Sequence, residues 1–183
     1  MVFVNEEIHV ANAIGTAVTG YSGTRTIITD SLDGNGYRLR ETTRGNGIST
    51  FDMNKSTQHG QAVDFTDADN LWTNANINLD QYATDAHWGA EKTYDYLDSI
   101  HGRNSIDGAG FRLLSYVHYG SNYVNAFWDG QRMTYGDGDQ TTSPLTTLDI
   151  SGHEIAHGLT SNSAGLIYRS ESGALNESFS DIF

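Results

Sequence analysis

The chain has 183 residues, a formal net charge of −13 and no cysteine, enough length to bury a core as one domain, or as one and part of another. Such acidity excludes a nucleic-acid partner, because no basic stripe is available to neutralise phosphates, and it leaves room for bound cations. Disulfides are excluded, and no apolar run approaches the ~20 residues needed to cross a bilayer, so no membrane partner is expected.

The opening MVFVNEEIHVANAIG lacks the basic start and apolar middle of a secretion signal, so the signal of an exported parent would already be gone. Residues 24 to 53 read as strands: TIITDSL, the turn DGNG, then YRLRETT, then GISTFDM after another glycine turn. In YRLRE, Tyr37 and Leu39 face one way and Arg38 and Arg40 the other. DADN, residues 67 to 70, is either a pair of calcium-chelating aspartates, Asp67 and Asp69, or a plain solvated loop. Tyr82, Ala86, Ala90, Tyr94 and Leu97 recur at helical spacing and predict one long helix near 81–100, stopped by Gly102.

FRLLSYVHY, 111 to 119, and VNAFWDGQRMTYGDG, 124 to 138, return to strand with turns, and YGDGD lacks the full spacing of a calcium loop. Trp128 and Tyr94 read as core. The single proline, Pro144, stands just ahead of the next helical segment, and no repeat or linker interrupts the chain. The final stretch ESGALNESFSDIF is helical but ends without a glycine cap or a basic last turn, which suggests a chain cut inside an element.

HEIAHGLT, residues 153 to 160, carries the chemistry. On a helix a spacing of four returns to almost the same side, so His153 and His157 can aim at one point and take neighbouring corners of a zinc tetrahedron. Glu154, about 100° round the helix, then stands beside the metal, where a base acting on water belongs. A catalytic zinc needs a third protein ligand. The extended form H-E-x-x-H-x-x-G-x-x-H is excluded by Thr160 and Ser163, leaving Glu171, Glu177 and Asp181 downstream. Glu177 and Asp181 stand four apart. A second helix packed antiparallel to the first would present Glu177 to the metal while Asp181 accepts the outer N–H of a ligand histidine. The motif alone is matched evenly by two ordinary histidines; the acidic pair at this interval tips the balance towards metal. His9, His59, His87, His101 and His118 lack such partners in the sequence and read as structural.

HEIAHGLT, the interval from His157 to Glu177, GLIYRSESGALNESFSDIF, VNAFWDGQRMTYGDGD and DADN together resemble the thermolysin family of bacterial neutral metalloproteases, from about residue 60 to the end and more loosely before it. The resemblance implies an α+β, zincin-like fold: a β-rich amino-terminal lobe over 1–147, then the zinc-binding helix and the start of a second helix over 148–183, truncated before a helical carboxy-terminal lobe. It implies a secreted zinc endopeptidase acting on peptide or protein substrates, with zinc on His153, His157 and Glu177, Glu154 as base, Tyr168 hydrogen-bonding the oxyanion, and Asn125 and Ala126 holding an extended substrate as an added strand. Asp181 is the outer partner of a ligand histidine. Calcium is implied as a second cofactor, with Asp67, Asp69 and Asp149 as candidate ligands. The implied partners are the missing carboxy-terminal lobe and a propeptide. A metal-binding fragment or interaction module without catalysis is the alternative expectation.

Overall fold

In the structure, a computed structural model that describes residues 11–73 and 79–183, β1 (Asn12–Val18) and β2 (Thr24–Ser31) form an antiparallel hairpin paired from Asn12↔Asp30 to Val18↔Thr24. His9 lies outside the described residues. After the DGNG turn the expected strand YRLRETT is not one strand. It divides into β3 (Tyr37–Arg38), which pairs with β2, and β4 (Arg40–Glu41), which pairs with β5 (Ile48–Asp52) in the other sheet. The crossing point is Leu39, which is fully buried and whose carbonyl accepts the Thr50 amide. Arg38 and Arg40 do share a face, as both reach the Asp64 carboxylate.

A 3-10 turn, His59–Gln61, leads to three short strands: β6 (Val63–Asp64), β7 (Thr66–Asp67) and β8 (Leu71–Trp72). One sheet has the order β7-β3-β2-β1-β8. The other is completed by β9 (Leu113–Tyr119), β10 (Ala126–Trp128) and β11 (Met133–Gly136) in the order β10-β11-β9-β5-β4, with β6 beside β5. β10 is therefore an edge strand, paired with β11 on one side.

The long helix α1 (Gln81–His101) starts and stops close to expectation. Gly102 takes the left-handed conformation (φ 59°) that glycine adopts without steric cost, its amide bonds back to Asp98 O and the Arg103 amide to Leu97 O, satisfying the last carbonyls. Ala83, Ala86, Ala90, Tyr94 and Leu97 pack into the core with Ile27, Ile48, Leu113 and Met133. Removing Leu97's side chain would cost about 2–5 kcal/mol.

α1 is buried on more than its apolar stripe, because sheet strands and a second helix cover it. The polar residues this buries are paired: Asp85 accepts the Tyr21 and Ser22 amides, His87 bonds Thr50 Oγ1 and Ile28 O, and Glu91 accepts the Ile28 amide. His87 is structural, as expected.

α2 (Leu148–Ser161) crosses α1 where Gly89 meets Ser151. A Cβ on Gly89 would lie 2.8 Å from the Ser151 side chain, so this close approach requires glycine. α3 (Ser170–Ile182) folds back along α2, since His153 meets Asp181 while His157 meets Asn176. The architecture is α+β, as the sequence indicates: two β-sheets around a central helix, with a helix pair placed against β10.

Candidate metal centre

His153 and His157 stand one turn apart on the face of α2 that looks at α3. Their Nε2 atoms are 3.0 Å apart, and Glu177 closes the triangle with Oε2 3.1 Å from His153 Nε2 and Oε1 3.6 Å from His157 Nε2. Ligand atoms about 2.0–2.1 Å from one ion in a tetrahedron sit roughly 3.3 Å from each other. The three separations bracket that value, and these residues form the only group of three or more His, Asp or Glu side chains converging this way among the described residues.

The outer ring nitrogens are occupied too. His153 Nδ1 donates to Asp181 Oδ1 at 2.8 Å and His157 Nδ1 to Asn176 Oδ1 at 2.7 Å, with Ser180 Oγ 3.1 Å from the same nitrogen. Protons held at both Nδ1 positions leave two Nε2 lone pairs facing each other and a carboxylate. Three acceptors with no proton among them are mutually repulsive, and a divalent cation between them removes the repulsion. The donor set therefore fits zinc.

Glu154 lies beside this triangle, 7% exposed. Burial pushes its carboxyl up to about 7; the Glu177 charge adds to the rise, while His157 and the main-chain N–H of Trp128 oppose it. A divalent cation beside it would favour the ionised carboxylate, the form that accepts a proton.

Comparison with known proteins decides the family. The thermolysin metallopeptidase catalytic domain matches residues 14–161. The chain belongs to this family. A bacillolysin of Brevibacillus brevis is 51% identical over 152 residues, covering 82% of this chain and 28% of that protein. A bacillolysin of Bacillus cereus is 48% identical over 175 residues, 94% of this chain and 30% of that one. The thermolysin of Alicyclobacillus acidocaldarius is 46% identical over 150 residues, 80% of this chain and 27% of that protein. Among solved structures, the precursor of protealysin, a metalloproteinase from Serratia proteamaculans, superposes with a TM-score of 0.63 at 40% identity, over 74% of this chain and 41% of that one. The chain thus spans less than a third of the length of these curated relatives.

Around the triangle of His153, His157 and Glu177 a cleft of about 440 Å³ runs between β10 and α3, lined by Asn125, Ala126, Trp128, Glu154, Tyr168 and Glu177. Asn125 and Ala126 lie at the start of the edge strand. Tyr168 is 66% exposed, its ring edge-on to that of His157 at 5.7 Å between centroids. A wider groove of about 870 Å³ adjoins it, lined in part by Leu148, Asp149, Asp181, Ile182 and Phe183.

Among the described residues, none of the candidate calcium ligands Asp67, Asp69 and Asp149 belongs to a converging group of three or more His, Asp or Glu side chains. Asp67 Oδ1 accepts the Asp69 amide and Asp69 Oδ1 the Leu71 amide, the local bonding of an Asp turn. Asp149 is exposed in the first turn of α2, where a carboxylate complements the helix dipole. His118 is buried and its Nδ1 is 2.6 Å from Asp137 Oδ1, a partner the sequence spacing does not reveal, because the strand bends there and turns the ring inward. His59 bonds Thr134 Oγ1, and His101 packs edge-on against Tyr96.

The sequence alone does not single out Asn176. It is 3% exposed and does for His157 what Asp181 does for His153. The available signal was the need for a second outer partner, met on α3 by a residue four before Ser180.

Proposed function

We propose that a protein carrying this chain is a zinc-dependent endopeptidase. The observation that carries the reading is the convergence of His153 Nε2, His157 Nε2 and a Glu177 carboxylate with both outer nitrogens already held. When bound by these three residues, zinc supplies Lewis acidity to a water and to the peptide carbonyl presented beside it. Glu154 accepts a proton from the attacking water at its carboxylate and returns it to the departing amide nitrogen. The Tyr168 hydroxyl donates to the oxyanion as the carbonyl carbon becomes tetrahedral. Asn125 and Ala126 bind the substrate main chain along the free side of β10, which adds the peptide as a further strand.

In the expected division at residue 147, the described residues before it form the β-rich part of the enzyme and 148–183 the helix pair that holds the metal. Asp181 and Asn176 fix the ring orientations. The apolar part of the wide groove, Leu148, Ile182 and Phe183, accepts a carboxy-terminal lobe or a propeptide. Calcium is bound with Asp149 in one place and with Asp67 and Asp69 in another, in keeping with the net charge of −13, and the protein acts outside the cell. No helix of the described residues is long and apolar enough to cross a membrane.

Glu154→Gln tests the reading on a casein or peptide substrate with zinc supplied. The variant should bind zinc as the parent does and lose about 10²–10⁴-fold in kcat. Undiminished cleavage would remove Glu154 from the chemistry.

A further inference from the structure

Outside the metal centre, one residue of the sheet adopts a costly conformation. His118, near the end of β9, has φ 61°, a left-handed backbone that a bulky L-residue rarely adopts. The pairing of β9 with β11 shifts at the same place, from Thr134↔Tyr116 to Gly136↔Tyr119, so β9 carries one extra residue there. The inside–outside alternation breaks with it: Val117 and His118 are both buried. A bulge of this kind re-aims one side chain, and strain of this kind persists where the surroundings use the result.

The re-aimed imidazole lies between two carboxylates. His118 Nδ1 is 2.6 Å from Asp137 Oδ1, and Nε2 is 4.0 Å from Asp80 Oδ1 at the start of α1. The Phe65 ring packs edge-on against it, and its carbonyl accepts the Lys55 amide. Asp137 lies between two glycines whose amides hold the segment leading into β10: Gly136 N–H donates to Asn125 O and Gly138 N–H to Tyr123 O, each at 3.0 Å. The side chain of His118 thus holds the loop that holds Asn125.

We propose that His118 is a positioning residue for peptide binding. Through Asp137 it fixes the loop 136–138, and through that loop the height and angle at which Asn125 and Ala126 meet a substrate main chain. The inference rests on the proposed peptidase reading for its function, but its structural half can be measured without catalysis.

The test uses the zinc-loaded protein with His118→Leu, which keeps the bulk and cannot donate, Asp137→Ala, which removes the acceptor, and His118→Asn. Asparagine tolerates the left-handed backbone and places an N–H close to where Nδ1 stands. With a peptide substrate, His118→Leu and Asp137→Ala should raise KM about tenfold with kcat within about twofold, while His118→Asn stays near the parent. An unchanged KM in the first two, or a loss falling equally on kcat, overturns the proposal. Hydrogen exchange of the Gly136 and Gly138 amides should speed up in His118→Leu, with α2 unaffected; unchanged exchange also overturns it. Should His118→Leu fail to fold, Asp137→Ala carries both readouts. Absence of cleavage by the unmutated protein would count against the peptidase reading, while exchange still decides the clamp.

Discussion

Replacing Asn176 and Asp181 in turn separates two outer partners that look equivalent by distance. Asn176 Oδ1 is 2.7 Å from His157 Nδ1 and the residue is 3% exposed; Asp181 Oδ1 is 2.8 Å from His153 Nδ1, but its side chain is 73% exposed. Asn176→Ala leaves a buried N–H with only Ser180 Oγ at 3.1 Å. A buried donor deprived of its partner costs about 1–3 kcal/mol, which at about 1.4 kcal/mol per decade is roughly 5- to 150-fold in zinc affinity. Loss of an outer partner at other metal sites costs about 10–100-fold, the same range. Asp181→Ala removes a charge-assisted bond, stronger in isolation, but water replaces an acceptor this exposed and solvent screens the charge. The expected loss is under about tenfold. Competition with a chromophoric chelator measures both. An Asp181→Ala loss equal to or above that of Asn176→Ala, or an Asn176→Ala affinity within about twofold of the parent, would refute burial as what ranks the two contacts.

Two further expectations concern the scaffold. Burial pushes the Glu91 carboxyl from its ordinary 4.5 up to about 7. Between those values the folded chain holds a proton that the unfolded chain has released, so Glu91 lowers stability progressively as pH rises from about 4.5 to 7. In Glu91→Gln that slope disappears, and the urea-derived stability of the variant minus that of the parent should rise by about 3 kcal/mol between pH 4.5 and 7.5; a constant difference would contradict this. Gly89→Ala forces a methyl against Ser151 where α1 crosses α2 and should destabilise by about 1–3 kcal/mol, whereas Gly60→Ala, with open space around it, should stay within about 0.5 kcal/mol. Equal melting temperatures for the two variants would show that the helix crossing has slack.

The parts legible in the sequence are those written locally. α1 announced itself through apolar spacing and Gly102, and the metal donors through His153 and His157 one turn apart on a helix, because both signals sit within a few turns of chain. The switch of sheets at Leu39 was not legible: β3 and β7 are two residues each, and β7 is a strand only through its distant pairing with β3, Tyr37 with Asp67 and Arg38 with Thr66. Neither was the burial of Asp85, His87 and Glu91, since a helix covered on several sides has no polar face for periodicity to reveal. Asn176 carries no charge and no motif, and His118 depends on a register shift that no single strand encodes. In each case the deciding contact lies far away along the chain.

In the proposed enzyme, three side chains from two helices form one zinc site. Titration of the metal-free chain with zinc, read by chelator competition and metal analysis, tests it most directly. One equivalent should bind, and His153→Ala, His157→Ala and Glu177→Ala should each weaken binding by about 100-fold or more, at about 1.4 kcal/mol per decade for a lost metal bond. Binding well below one equivalent, or affinity that survives any of the three substitutions, would contradict the account.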